Sequence, residues 1–431
     1  MEKIKAARGT KDILADDSKI FQLIEDTAIA HFSQAAFGEI RTPIFEHTQL
    51  FSRAVGESSD IVNKEMYTFN DRSDRSITLR PEGTAGVVRA YIENALDRSA
   101  KPQRLWYRGP MFRYERPQTG RFRQFNQIGI EAFGLPAPYL DLEVIQLAYS
   151  FLKKLGLKDL TLYINSLGNE NSRKQYQKNL LAFLDQHRDE VCEDCQRRID
   201  QNPLRVLDCK VPEDQELYKN APLIKDSFDE ESLKVWEEVK EGLKALEINY
   251  VEDSNLVRGL DYYSHCVFEF KTEDKGLGQQ STVLAGGRYD KLVEQLGGGE
   301  TPAVGWALGM ERLAYLIEQN SSHEITEKNH IYIICDDTIE ALKLSSKLRQ
   351  DLPVDFTVEF DFDSVKIGKQ INKALKRTAD YALFYLGDER ESGTFKLKDF
   401  DLEEEESIGS YEELLTKLTS QANISKGILN V

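Results

Sequence analysis

The sequence predicts two folding units: an α+β domain built on antiparallel sheet and interrupted by a helical insertion, followed by a smaller α/β domain. Three observations carry this. Residues 104–133 form two long strand patterns joined by RPQTGR, where Pro117 and Gly120 can turn the chain, so a long antiparallel hairpin is expected. From about 169 to 223 the chain turns polar, charged and helical, with Pro203, Pro212 and Pro222 as punctuation, before a β-rich pattern returns at NLVRGLDYYSHCVFEF. Beyond the polar linker SSHEITEKNH, the strands IYIIC, FTVEF and YALFYLG alternate with helical patterns, which indicates a small sheet with crossover connections. A chain of 431 residues exceeds what one hydrophobic core serves, and the expected domains are 1–325, carrying the insertion at about 169–223, and 326–431.

Each element has a local reason. Phe21, Ile24, Ala28, Phe32 and Ala35 recur at helical spacing after Asp16, Asp17 and Ser18, and the pattern stops at Gly38. EIRTPIFEH reads as a strand whose Pro43 suits an edge or an interface. KEMYTFND and RSITLRPEG are alternating strands around the polar turn DRSDR. Residues 139–155 read as a helix, TLYINSLG and STVLAGGRYD as strands, and WALGMERLAYLIEQ as a helix. In the second unit, helices are expected at about 339–349 and 365–377, and the acidic run DLEEEES as a solvated turn.

Charge and cysteine content narrow the function classes. A net charge of −17, from 73 acidic and 56 basic side chains, argues against unspecific nucleic-acid binding, which draws its affinity from Lys and Arg. It leaves room for a local basic track. No apolar run is long enough to span a bilayer, and the opening MEKIKAARGTKDIL lacks a signal-peptide core, so the expectation is a cytoplasmic protein with no membrane partner. The five cysteines do not read as a disulfide framework. Cys192 and Cys195 form a CxxC with His187 and Cys209 nearby, enough groups for a zinc ion, but the second half lacks paired spacing. The preferred reading is reduced thiols in a helical segment, and no metal site is assigned.

The hairpin carries the strongest chemical signal. Side chains two apart share a face, so Arg113 and Glu115 point one way, together with Arg123, Phe125, Gln127 and Glu131 on the returning strand. The other parity, with Phe112, Tyr114, Ile128, Ile130 and Ala132, is core-like. A wet face is ordinary for a hairpin. This one combines guanidinium forks suited to phosphate, a ring able to stack on a base, and an amide and carboxylates suited to an amine.

At these residues the chain resembles a known family. The run 112–131 is similar to motif 2 of class II aminoacyl-tRNA synthetases, GWALGMERL (305–313) to their motif 3, and GEIRTPIFE (38–46) to their motif 1. LVRGLDYY (256–263) and AGGRYDKL (285–292) resemble the two signatures of the histidyl-tRNA synthetases, and LRPEGTAG (79–86) completes a set that runs in the family's order over nearly the whole chain.

The resemblance implies a class II synthetase fold with a C-terminal anticodon-binding domain. It implies an enzyme that activates L-histidine with ATP to histidyl-adenylate and pyrophosphate, then transfers histidine to the 3′-terminal ribose of tRNA(His), giving AMP. ATP with Mg²⁺ would be held by Arg113 at the α-phosphate, Arg312 at the γ-phosphate, Phe125 against adenine, and Glu115 and Arg121 nearby. Histidine would be held by Glu82, Gly83, Thr84, Arg113, Gln127 and Arg258, with Glu131, Tyr262 and Tyr263 around the imidazole. Arg258, bridging carboxylate and α-phosphate, and Arg113 are the implied catalytic residues. Arg116, Gln118 and Arg123 would meet the tRNA acceptor end, a task the turn position of Arg121 also suits, and the motif 1 likeness implies a homodimer. Gly305 and Gly309 lack side chains where the entry to the expected helix would approach a nucleotide, with Arg312 one turn inside.

Lys366, Lys369, Lys373 and Lys376, spaced three, four and three residues apart, share a helix face, and in an anticodon-binding domain they would contact RNA. The alternative is a non-catalytic paralogue serving as regulatory subunit of ATP phosphoribosyltransferase; the presence of Arg113, Arg258, Arg312, Glu82 and Glu131 speaks against it. A generic ATP-binding enzyme is a third reading, which the RGLDYY and AGGRYDKL pair disfavours.

Overall fold

Long alternating runs in the first unit pair into a sheet of eight strands. In spatial order these are Gly38–Glu39, Gln103–Phe112, Gln124–Phe133, Ala303–Gly309, Thr282–Arg288, Ser264–Thr272, Leu160–Ser166 and Tyr250–Glu252. The inner pairs are antiparallel, whereas the pair at each edge is parallel. The computed structural model describes residues 3–56, 59–116, 120–209, 211–257, 260, 262–274, 281–319, 329–363 and 366–427. They fall into two compact units, Met1–His323 and Glu324–Val431.

The two faces of the large sheet differ in side-chain size, and this positions the site. Register places Leu105, Glu131, Gly305, Gly287 and Val267 in one row across five strands, and Tyr107, Gly129, Ala307, Ala285 and Glu269 in the row two residues away. Glycine and alanine therefore floor one face around Glu131. The opposite face carries Trp106, Ile128, Ile130 and Trp306, all buried. The helices Ala15–Gln34 and Tyr139–Lys154 cover it: Phe32 lies 5.6 Å from Trp106 by ring centroid, and the Trp306 indole donates to the Val144 carbonyl at 3.1 Å. In the first helix Ile24, Ala28 and Phe32 are fully buried, as their spacing predicts.

Four local expectations change. EIRTPIFEH is not one strand but two, Gly38–Glu39 in the large sheet and Phe45–His47 in a smaller one, and the last residues of DLEEEES lie in the strand Glu405–Ile408 instead of a turn. WALGMERLAYLIEQ is not one helix: Ala303–Gly309 is a strand and Met310–Gln319 the helix that follows. Val304, Trp306 and Leu308 are buried at period two, and the strand pairs with neighbours on both sides, which outweighs any local helical tendency in a segment holding two glycines. The hairpin strands end at Phe112 and resume at Gln124, so 113–123 is a longer connection than the turn expected.

Helices Glu170–Gln186, Glu193–Gln201 and Pro212–Tyr218 lie between the parallel strands Leu160–Ser166 and Tyr250–Glu252, and Glu230–Ala245 leads the chain back. Buried Tyr176, Leu180, Cys195, Val206 and Tyr218 form one apolar cluster with Tyr107 and Tyr262 of the main body. A smaller sheet pairs Phe45–His47, Ser76–Leu79 and Tyr67–Asn70.

The second unit has strand order Phe356–Phe360, Asn329–Ile334, Tyr381–Phe384, Phe395–Asp399, Glu405–Ile408. Asn329–Ile334 is parallel to both neighbours, and helices Thr338–Asp351 and Ile367–Lys376 make the crossovers. Asp337 caps the first of these, its carboxylate accepting from Ile339 N–H at 2.8 Å and Glu340 N–H at 3.2 Å.

Candidate active site

The small-residue face of the large sheet carries Glu131, and a second buried carboxyl, Glu82, is linked to it through Thr84. Glu82 precedes the helix Thr84–Glu93 and accepts from the backbone N–H of Thr84 at 2.7 Å and of Ala85 at 2.8 Å, so it sits on the helix's positive end. Burial raises its pKa while these amides hold it down. Glu131, on the hairpin strand, is 1% exposed and accepts from the Thr84 hydroxyl at 2.7 Å and from the Tyr289 hydroxyl. Its pKa is pushed up to about 8, chiefly by burial, with a further contribution from the Glu82 charge.

Glycines make room for these groups. A Cβ on Gly305 would lie 1.8 Å from a Glu131 carboxylate oxygen, and one on Gly83 would lie 2.1 Å from the Tyr107 ring. Gly305 thus serves the carboxyl on the neighbouring strand, not the approach of a nucleotide to a helix entry. Gly309 has open space beside it and lines the cleft. Tyr262 packs on Tyr263 at 4.7 Å and edge-on to Tyr289 at 5.5 Å, an aromatic cluster joined to Glu131 through the Tyr289 hydroxyl. The buried Gln127 Oε1 has no hydrogen-bond partner, and Gln127 borders the cleft on this face.

On the same face, over Ala285 and Ala307, a cleft of about 690 Å³ is bordered by Arg113, Glu115, Arg121, Phe125 and Arg312. Arg113 donates from Nε to the Pro81 carbonyl at 2.8 Å, and its guanidinium carbon lies 5.3 Å from the Phe125 ring centre. Glu115 pairs with Arg121 at 2.8 Å and, more loosely, with Arg113 at 3.7 Å. Arg312, near the start of its helix, donates to the Thr282 carbonyl; burial and the neighbouring Arg121 charge both lower its pKa. Like charges gathered in a half-buried cleft are the electrostatic pattern of a polyanion site. The next residue back, Glu311, binds the hairpin through the Asn126 N–H at 2.8 Å and its side-chain amide at 3.0 Å, tying the arginine helix to the arginine loop.

Not every candidate joins the cleft. Arg123 lies with its guanidinium 3.7 Å from the ring centre of Tyr114, and its Nη1 reaches the Arg8 carbonyl at 3.5 Å. The parity that grouped Arg123 with Phe125 and placed Tyr114 in the core fails because the ladder stops at Gln124, and Tyr114 is 54% exposed. Arg116 is exposed in the connection. Gln118 and Arg258 lie outside the described residues, although Leu256 and Val257 line the cleft. Tyr289, Glu311 and the role of Gly305 escaped the sequence reading. Tyr289 stood inside the quoted AGGRYDKL; its meaning depends on a strand remote in sequence.

In the second unit Lys369, Lys373 and Lys376 are exposed on the helix Ile367–Lys376, and Lys366 occupies its N-cap. Lys373 pairs with Asp361 at 2.5 Å. Among the described residues no helix is long and apolar enough to cross a membrane.

A central antiparallel sheet with parallel edges, carrying an arginine-bordered cleft and a buried carboxyl on one face, places this protein among the class II aminoacyl-tRNA synthetases. A family model described as histidyl-tRNA synthetase matches residues 9–313, and one for an anticodon binding domain matches 328–421. The chain belongs to the histidyl-tRNA synthetase family. It is 47% identical over 430 residues to histidine–tRNA ligase of Acaryochloris marina (strain MBIC 11017), covering 98% of each protein. With the same enzyme of Streptococcus pyogenes serotype M28 it shares 46% over 434 residues, covering 99% of this chain and 100% of that one. The crystal structure of apo S. aureus histidyl-tRNA synthetase superposes with a TM-score of 0.82 at 38% identity, over 96% of this chain and 100% of that one.

Proposed function

We propose that L-histidine is held against the buried carboxyls Glu82 and Glu131 and that the arginine-bordered cleft holds ATP, so that the two reactants meet beside Gln127. The enzyme activates L-histidine with ATP to histidyl-adenylate and pyrophosphate, then transfers histidine to the 3′-terminal ribose of tRNA(His), releasing AMP. The observation that carries the assignment is the pair of buried carboxyls, Glu82 and Glu131, both hydrogen-bonded to Thr84, while Gln127, on the same strand as Glu131 and with an unpaired acceptor, lines the cleft. Such groups suit an ammonium and an imidazole N–H, and a buried polar pocket rejects amino acids that leave its groups unpaired.

The first step aligns two anions and needs no general base. The histidine carboxylate attacks the α-phosphorus, pyrophosphate leaves, and charge on the transferring group is stabilised by guanidinium groups fixed beforehand. Arg113, held by the Pro81 carbonyl, faces the α-phosphate; Arg312, held by the Thr282 carbonyl, takes the γ-phosphate. Arg258 bridges carboxylate and phosphate, and Phe125 stacks on adenine. Gly83 and Thr84 border the histidine subsite, with Tyr262 and Tyr263 along the imidazole. Mg²⁺ bound with ATP would neutralise phosphate charge, and Glu115, the carboxylate between Arg113 and Arg121, would hold it.

In the second step Arg116, Gln118 and Arg123 guide the tRNA acceptor end, while Lys366, Lys369, Lys373 and Lys376 meet the anticodon region. The protein works in the cytoplasm as a homodimer; Ile44, Phe45 and Phe69, on or beside the small sheet, are exposed apolar side chains that such an interface would cover. Sedimentation velocity returning only the monomer mass would contradict the dimer.

ATP/pyrophosphate exchange assayed with each amino acid in turn is expected to respond to histidine alone, and Arg258→Ala to reduce it by about 10²-fold or more. No histidine-dependent exchange would end this reading. Reversing the helix charges, Lys366→Glu with Lys373→Glu, is expected to raise the KM for tRNA about tenfold and leave exchange unchanged. Equal loss of both reactions would show that these lysines do not act through tRNA.

A further inference from the structure

We propose that the helical insertion binds one structural zinc ion through Cys192, Cys195, Cys209 and Asp214. The four ligand atoms all lie within 4.8 Å of one another, and every residue except Cys192 is buried. Cys192 Sγ and Cys209 Sγ are 3.8 Å apart. Two sulfurs on a tetrahedral zinc with bonds of about 2.3 Å would be about 3.8 Å apart. Cys209 Sγ lies 3.3 Å from an Asp214 carboxylate oxygen, close to the roughly 3.5 Å separating a sulfur and an oxygen ligand on such an ion.

Short-range sequence sets up the cluster. Cys192 is the N-cap of Glu193–Gln201 and Cys195 lies in its first turn, Cys209 follows the turn Pro203–Asp208, and Asp214 lies in the first turn of Pro212–Tyr218. The backbone already points at the donor atoms. Cys192 N–H donates to both Asp214 oxygens at 3.2 Å, and Val211 N–H donates to Cys209 Sγ at 3.4 Å. Outer hydrogen bonds of this kind orient ligands in closed metal sites.

Three sulfur donors select zinc over magnesium or calcium. His187, the histidine nearest in sequence, pairs with Glu190 at 3.0 Å and stands outside the cluster; Asp214 takes the fourth position. Binding releases the thiol protons to solvent. The ion staples the CxxC turn to 209–214, and the flanking Leu207, Gln215 and Tyr218 line the cleft, so it fixes one wall of that cleft.

The full-length protein, purified without chelators, is expected to carry one zinc per chain by elemental mass spectrometry. Reconstitution with cobalt(II) is expected to give thiolate-to-metal charge-transfer bands and the ligand-field spectrum of a tetrahedral centre. Cys209→Ser should lose the metal, Asp214→His should keep it, and Asp214→Ala should weaken binding about 10- to 100-fold. Chelation should speed proteolysis between residues 186 and 228. If Cys209→Ser fails to fold, the metal content and cobalt spectrum of the unaltered protein still decide. Zinc below about a tenth per chain with all thiols free, or a Cys192–Cys209 disulfide in the peptide map, overturns the proposal.

Discussion

Glu131→Gln is expected to reduce histidine-dependent exchange by about 10²-fold or more and, at the same time, to raise the melting temperature of the free protein at pH 8. The loss follows from removing the carboxylate that takes the imidazole N–H, since Glu82 is already engaged by the Thr84 and Ala85 amides; hydrogen bonds to charged groups contribute about 1.5–3 kcal/mol, and stranding the ligand's N–H adds to that. The gain follows from linkage. The Glu131 carboxyl is held at about 8 in the folded chain, above its ordinary value of 4.5, because burial disfavours the anion. A carboxyl raised in this way contributes stability that is complete below the unfolded value and is lost as pH climbs through the folded one. Ionisation therefore costs the free enzyme on the order of 3–5 kcal/mol by pH 8, a cost the neutral amide never incurs.

Thr84 still donates to the amide oxygen of the variant, and the Tyr289 hydroxyl must turn to accept from its NH₂. That rearrangement offsets about 1 kcal/mol. Thermal unfolding of both proteins at pH 5 and pH 8 checks the sign: the variant's advantage must grow with pH. The same advantage at both values would show that ionisation of Glu131 is not what strains the pocket. Function then explains why the strain is kept, because a ligand bearing an ammonium or an imidazole N–H lowers the cost of that negative charge only when bound.

How much of this was legible depended on whether a signal was local. The hairpin was readable because its strands alternate at period two and its connection carries Pro117 and Gly120. The acidic and arginine groups of the cleft were readable as chemistry, since Arg113, Phe125 and Gln127 cluster in one short stretch. What failed were inferences about where regular structure ends. Arg123 and Tyr114 were assigned faces by a ladder that stops one residue short of Arg123 and two short of Tyr114. Gly305 was given to the nucleotide because nothing in the sequence places it opposite Glu131; that pairing joins strands 174 positions apart (305 minus 131). Tyr289 and Asp214 were missed for the same reason, each acting on a partner brought to it only by tertiary packing or by a turn of helix.

A related case gives the largest expected effect on stability. Arg288 ends the strand beside the pocket, is 0% exposed, and binds Asp141 on the covering helix from Nε at 3.0 Å and again from Nη2. Its remaining hydrogen bonds go to Asp290 at 2.9 Å and the Leu135 carbonyl at 3.1 Å. Desolvation of the guanidinium is outweighed by these oxygens, which raise the Arg288 pKa. Removing one member leaves the other charge buried with too few partners, and Asp141→Ala is expected to cost about 3–5 kcal/mol in urea unfolding. The double variant Asp141→Leu with Arg288→Met should recover most of that loss, since an apolar pair of similar volume has no charge to desolvate. Catalysis separates the two outcomes. Arg288 precedes Tyr289, which donates to Glu131, so the single variant should raise the KM for histidine along with its instability. A restored double variant that still shows the raised KM would assign the pair to aiming Tyr289, whereas a normal KM would confine it to holding helix and strand together.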